Sequence, residues 1–485
     1  CPRCYRRRRD EPRSCAPRPD FMHCALLIPD GVGVRNFVLG RFLCDLSSQA
    51  AVSVFHIIPP ELLETYSAPF HGRVNWEPMQ PYSETPLSFT LRYSLSYAQM
   101  YWAKTTSMRH NLTLPVKGSW RTKAAHRTAR VTGRLAASPR RIKALEAAHC
   151  KASSQSPAVA RYEELFEQIR PTVLFCSHQR PPEVLPAVLA ARRMKIPTAT
   201  FIFSWDNITS KGRIAAPFDH YLVWSEHMKR ELLKYYPDVN AARIHIVGTP
   251  QFDPYADESL LWPREDFFRR IGADPERPLI CYSGGDTGNC PEDQDHLRVL
   301  MQAIREGDIR RSPQVVLRPC PVDDGCRYMP VKRDYPELIV AMPAWTHTRP
   351  GEWSRVIPLP EDVAMLANLT HHCDLNVNFG STMTLDFGIH DKPVVNVAFD
   401  VANPPVFGLP VWDFSYKFEH YTNVVKLGAA RFGRSAGEFV QHVNDYLENP
   451  SLDRDNRRRL MDMQVGAPLG ESSRRIVDVL RELSN

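Results

Sequence analysis

From Val159 onward, continuous apolar runs alternate with segments whose apolar residues recur every three or four positions. The first pattern predicts strands buried on both faces and the second predicts helices covering them. Helix Val159–Ile169 precedes strand Thr172–Cys176, and helix Glu183–Met194 precedes strand Thr198–Phe203. Strand His220–Trp224, helix Glu226–Tyr236 and strand Arg243–Val247 complete this series. A second series runs through strand Leu279–Tyr282, helix Gln294–Ile304, strand Gln314–Leu317 and helix Glu361–Leu369. It ends in a strand–turn–helix–strand unit: Asp374–Phe379, Gly380–Thr382, Met383–Ile389 and Val394–Phe399.

Near the start, strand Cys24–Ile28, a glycine loop at Pro29–Gly33, helix Arg35–Leu46 and strand Val52–Ile58 read as a βαβ opening. Between it and the first long series, residues 59–156 show no clear period and read as irregular, first aromatic and then basic. Helices at Arg264–Ile271, Ala436–Leu447 and Asp453–Met463, and a last turn at Ile476–Leu483, complete the expected elements. Strands alternating with helices specify an α/β protein with parallel sheets. The expected organisation is a basic leader over 1–20, an N-terminal Rossmann-like domain over 21–247 with an insert at 60–156, and a linker at 248–262. A C-terminal Rossmann-like domain over 263–470 and a C-terminal helix at 471–485 follow.

At 485 residues, the chain suits two such domains facing across a cleft. Residues 103–151 carry 12 Lys/Arg against the single acid Glu146, whereas the whole chain has a net charge of only +7. That block suits an anionic membrane surface or a solvated insert; no nucleic-acid motif accompanies it. The preceding aromatics (Trp76, Phe89, Tyr93, Trp102) could dip into such an interface. No apolar run is long enough to span a bilayer, no secretory signal is evident, and the 12 cysteines are scattered. The expectation is a cytoplasmic protein with reduced thiols, and second a peripheral one at the inner face of the plasma membrane. Cys1, Cys4, Cys15 and Cys24 make no convincing zinc set, because Cys24 opens an apolar strand.

Candidate chemistry falls at strand ends. Gly380, Ser381 and Thr382 start a helix, whose first N–H groups and positive dipole end suit a phosphate, and Asp386 one turn on suits a sugar hydroxyl. Ser283–Gly284–Gly285–Asp286–Thr287 would let backbone approach a phosphate, and Arg318 at the next strand end could fork two of its oxygens. Asp206 in Ser204–Trp205–Asp206–Asn207 suits a general base, with Trp205 stacking on a sugar and Asn207 beside it; an Asx turn is the plainer alternative. His178 and Asp30 are rival bases at equivalent edges; Arg35 would border the acceptor, and His420 would close over the donor.

These segments resemble GT-B-fold glycosyltransferases, in particular bacterial surface-polysaccharide glycosyltransferases and CDP-glycerol glycerophosphotransferase-like proteins. The Ser-Thr turn, the acidic residue at 386 (more often Glu in that family), the Arg318–Pro319 pair and the Ser-Trp-Asp-Asn-Ile-Thr run carry the likeness. The resemblance implies metal-independent transfer of a sugar from a nucleotide-diphosphate donor to a glycan or lipid-linked acceptor, without a cofactor. A CDP-polyol phosphotransferase, a nucleotide-sugar 2-epimerase and a non-catalytic membrane-docked binding protein are the alternatives.

Overall fold

A computed structural model describes residues 22–347, 356–402, 408–466 and 468–485. The expected leader, with Cys1, Cys4 and Cys15, lies outside the described residues. Strands β1 (His23–Ile28), β2 (Ala51–His56), β3 (Val74–Pro78), β4 (Val173–Cys176), β5 (Thr198–Phe201), β6 (His220–Val223) and β7 (Ile244–Ile246) form one sheet. Every pairing in it is parallel, and its order is β3-β2-β1-β4-β5-β6-β7. The second series supplies β8 (Leu279–Ser283), β9 (Gln314–Arg318) and β10 (Ile339–Val340). An antiparallel pair, β11 (Trp345–His347) and β12 (Val356–Pro358), precedes β13 (Leu375–Asn378), β14 (Val394–Val397) and β15 (Arg431–Gly433). The second sheet is also parallel throughout, in the order β10-β9-β8-β13-β14-β15.

Two parallel sheets, each covered by helices, give the expected two-Rossmann-domain architecture. Strand burial explains the pattern: β4, β5, β13 and β14 are buried at every position, which only sheets covered on both faces require. Strand order reverses between β1 and β4 in the first sheet and between β8 and β13 in the second. Such switch points leave a crevice at the strands' C-terminal ends, because the flanking crossovers depart to opposite sides.

Three expectations about elements are corrected. Residues 59–156 are not irregular: helices Pro86–Ala103, Thr106–Thr113, Trp120–Leu135 and Pro139–Ser153 fill most of the span. Thr85, Thr105 and Ser119 cap three of them with their hydroxyls, a local signal that was readable. The segment after β1 is no open glycine loop, since Asp30 caps a helix that starts at Gly31. Gly31 lies so close to β12 that a Cβ there would meet the Val356 carbonyl oxygen at 1.8 Å. The chain end is a 13-residue helix, Ser472–Ser484, which matches the helix expected over 471–485 and exceeds the single turn expected at Ile476–Leu483. It returns to the first domain, packing on Phe42–Ser47 and β4. Its Ser472 and Ser473 amides donate to Asp253 at 3.1 and 2.8 Å. The expected linker is itself partly wound, as a 3₁₀ helix at Pro250–Ala256.

Among the described residues, Cys24, Cys150, Cys176, Cys281, Cys290, Cys320, Cys326 and Cys373 are free thiols. No helix among the described residues is long and apolar enough to cross a membrane.

Candidate active site

The switch point of the first sheet brings together two residues that sequence reasoning treated as rivals. Because Leu27 pairs with Cys176, Asp30 and His178 leave adjacent strand ends side by side. His178 Nδ1 bonds Asp30 Oδ2, and Asp30 Oδ1 accepts the Gly33 amide at 2.7 Å. The imidazole stacks on Phe203, with centroids 3.9 Å apart and planes 14° apart. That pins the ring and leaves Nε2 buried and without a hydrogen-bond partner among the described residues. Burial alone would raise the Asp30 carboxyl, but the charge and hydrogen bond of His178 and the Gly33 and Val32 amides hold it below the usual carboxylate range. The result is an oriented imidazole backed by an ionised carboxylate, able to take a proton at Nε2.

Asp206 is occupied differently. Its Oδ2 accepts from Ser210 Oγ at 2.6 Å and its Oδ1 from Asn207 Nδ2 at 3.1 Å. Burial pushes its pKa up, yet Lys211, His420 and the Ser204 and Ser210 hydroxyls outweigh that and hold it far below the usual range. A carboxylate so stabilised is a poor proton acceptor and a good anchor for cations. Asn207 is fully engaged, accepting from Gln179 Nε2 at 3.1 Å. Trp205 is 3% exposed and wedges against His420 and Tyr421 of the second domain, so it has no face open to a sugar.

Arg180 and Lys211 were not foreseen. Burial lowers both pKa values, and the two cations sit within electrostatic reach of each other and of Asp206. Lys211 also feels Asp286 from across the cleft. His420 meets the same group: burial lowers its pKa, opposed by Asp206 and Glu231. Lys211 follows the Ser-Trp-Asp-Asn run by only a few residues, and that proximity was the available signal.

At the second switch point the glycine pair is packed rather than open. The Gly284 amide donates to the Arg318 carbonyl at 2.8 Å and the Gly285 amide to Asp293 Oδ2 at 2.9 Å. A Cβ at Gly284 would meet the Tyr328 hydroxyl at 2.5 Å, and one at Gly285 would meet Cys290 Cβ at 2.8 Å. Asp286 Oδ1 accepts the Gly288 amide at 2.6 Å, and Thr287 is exposed. Arg318 is also engaged: it is 5% exposed, and its Nη2 donates to both Asp362 oxygens at 3.0 and 2.8 Å. Trp345 Nε1 donates to the same carboxylate at 2.7 Å. Arg318 therefore holds β9 to the helix Pro360–His372.

The Gly380–Thr382 turn stays at the strand edge. Gly380 takes φ +57°, and Asn378 Oδ1 accepts the Ser381 amide at 2.8 Å. A buried polar ladder supports the turn: Asn376, Asn378, Thr384, Tyr421 and Asn396 are hydrogen-bonded in series. Asp386 is buried at the domain seam, where it accepts from the Tyr255 hydroxyl and from Gln251 Nε2 at 3.4 Å. Burial raises its pKa against the pull of Tyr255 and of Arg35 from the first domain. Arg35 thus serves the seam, with its Nε on Asn36 Oδ1 at 3.0 Å.

No family model matches the chain. No curated protein matches it in sequence either. Solved structures do share its fold. A UDP-GlcNAc 2-epimerase from Neisseria meningitidis, bound to UDP-GlcNAc, aligns at TM-score 0.51 and 11% identity, covering 95% of this chain and 100% of that one. A glycosyltransferase from Rickettsia africae ESF-5 aligns at TM-score 0.51 and 10% identity over 96% and 99% of the two chains. The S. aureus MnaA–UDP co-structure aligns at TM-score 0.51 and 10% identity over 95% and 96%. The shared arrangement is the GT-B-like pair of Rossmann domains.

Proposed function

We propose that this protein is a nucleotide-sugar enzyme that transfers a glycosyl group from a nucleoside-diphosphate sugar to an acceptor hydroxyl. The single observation that carries this reading is the anchored imidazole at the first switch point: Nδ1 bound to Asp30, and Nε2 buried and without a hydrogen-bond partner among the described residues. In the proposed step, the acceptor oxygen bonds the anomeric carbon as the bond from that carbon to the diphosphate oxygen breaks. The acceptor proton passes to His178 Nε2, and Asp30 stabilises the imidazolium. Arg180 and Lys211, with the turn Gly380–Thr382, would offset charge on the departing diphosphate. Asp206 and His420 would position Lys211. The glycine pair 284–285 and Arg318 serve as scaffold beneath the donor site instead of as ligands to it. A lipid-linked or surface glycan acceptor and a cytoplasmic setting belong to the same proposal.

A second reading has its own support. Two of the three structures compared are a UDP-GlcNAc 2-epimerase bound to UDP-GlcNAc and a UDP complex, and an epimerase would use the same cleft without an acceptor. One experiment separates the readings. The protein is incubated with UDP-GlcNAc alone, then with an oligosaccharide or polyprenyl-linked acceptor, and nucleotides are resolved by chromatography. Release of UDP only with acceptor supports transfer, whereas a second UDP-sugar formed without acceptor supports epimerisation. A preceding thermal-shift screen across UDP, CDP, GDP, ADP and dTDP selects the nucleotide; saturation at ~100 Kd stabilises by about 2.7 kcal/mol. Stabilisation by CDP alone would favour the polyol phosphotransferase, and stabilisation by none would favour a binding protein.

A further inference from the structure

Helix Trp120–Leu135 rests on helix Pro86–Ala103 through an inner face of small and hydrogen-bonded residues. Gly133 sits so close that a Cβ would meet Tyr97 Cβ at 2.6 Å, and His126 Nδ1 bonds the Tyr97 hydroxyl at 2.8 Å. The outer face is unlike an ordinary solvated one. Trp120, Val131 and Leu135 stand 74%, 63% and 68% exposed. With 3.6 residues per turn, they fall within an arc of about 60° of the helix circumference. Lys123, Arg127 and Arg134 line one edge of that arc, all exposed. No Asp or Glu occurs between Glu84 and Glu146.

The aromatics expected to reach a membrane do not provide this surface. Phe89 and Tyr93 make tilted or edge-on ring contacts with each other and with His126 inside the insert, and Trp76 packs against His56 and Phe70. Trp120, which was not among them, is exposed and opens the helix that bears the bases.

We propose that helix Trp120–Leu135 is an interfacial docking element that lies on an anionic lipid surface, with Trp120, Val131 and Leu135 below the headgroups and Lys123, Arg127 and Arg134 among the lipid phosphates. Charge complementarity selects an acidic surface, and the apolar stripe selects lipid over nucleic acid. A phosphate backbone gives exposed Val and Leu nowhere to leave water, whereas a bilayer interface removes them from it. Indole at the headgroup level completes the pattern. The proposal does not depend on the reaction the cleft performs.

The full chain is mixed with vesicles of equal parts phosphatidylglycerol and phosphatidylcholine, or of phosphatidylcholine alone, and floated on a density gradient. The expected result is co-flotation with the anionic vesicles only. Replacing Lys123, Arg127 and Arg134 by Gln lowers the partition coefficient about a hundredfold, at about fivefold per cation. A second variant, Trp120→Ser with Val131→Ser and Leu135→Ser, keeps every charge and lowers partition at least ~10-fold, most clearly in high salt where Coulomb attraction is screened. All six positions point away from the core, so unchanged melting temperatures are expected for both variants. Equal flotation on neutral vesicles, no flotation, or an undiminished serine variant overturns the proposal. So does single-stranded RNA bound by parent and serine variant alike and displacing the vesicles.

Discussion

Asp30 and His178, 148 residues apart in sequence, share a hydrogen bond because β1 and β4 are neighbours in the first sheet. The bond consumes Nδ1, sets the tautomer and points Nε2 away from the carboxylate. His178→Ala should therefore lower turnover on the preferred nucleotide sugar by about 10²–10⁴-fold while nucleotide binding persists. Asp30→Asn should give a comparable loss through the wrong tautomer. Loss of nucleotide binding in His178→Ala would argue for a ligand role instead.

Asp206→Asn should behave otherwise. A carboxylate held ionised by Lys211, His420 and two serine hydroxyls contributes charge, not proton acceptance. Removal of that charge is expected to cost less than about tenfold in turnover, well short of the loss expected for a general base. A loss near that of His178→Ala would return Asp206 to the base role.

Arg318 and Asp362 form a buried pair, so breaking it leaves a lone charge in the interior. Either single alanine variant should lose about 3–5 kcal/mol in urea unfolding, whereas the double variant Arg318→Met with Asp362→Leu should lose much less. The double variant should still bind nucleotide. Failure to bind while folded would restore Arg318 as a phosphate ligand.

Acid lability has named sources. Burial pulls the imidazoles of His56 and His149 down to about 4, from an ordinary value of 6.5. The unfolded chain then binds more protons than the native one between those limits, so stability falls as pH drops from 6.5 towards 4 and is unaffected by these groups above 6.5. Each contributes roughly 3 kcal/mol over the full window. His149→Gln should flatten the fall in stability measured by urea midpoints across that range.

Gly31 meets the second domain so closely that Gly31→Ala forces β12 away. The expected loss is about 1–3 kcal/mol in urea unfolding, as for overpacked cores. A neutral outcome would mean that this contact yields without cost.

The local pattern of residues was enough for ten strands of the two sheets, because a strand buried on two faces is largely apolar and its neighbouring helices are amphipathic; the edge strands β3, β10 and β15, which are short or half-buried, were missed. Helices Arg264–Ile271 and Met383–Ile389 were readable to the residue for the same reason. The insert was not, since its helices carry bases on their outer faces and small residues inside, which blurs the period that marks a core-facing helix. Candidate site residues were legible as types at strand ends, but their partners were not. Whether Gly284 cradles a phosphate or merely clears Tyr328, and whether Arg318 faces the cleft or Asp362, depends on contacts between residues tens of positions apart. Strand order alone made one unit of Asp30 and His178, and the closing of two domains made a wedge of Trp205 and a buried anchor of Asp386. Local sequence sets propensity and burial period; the pairing of distant strand ends is a property of the folded chain.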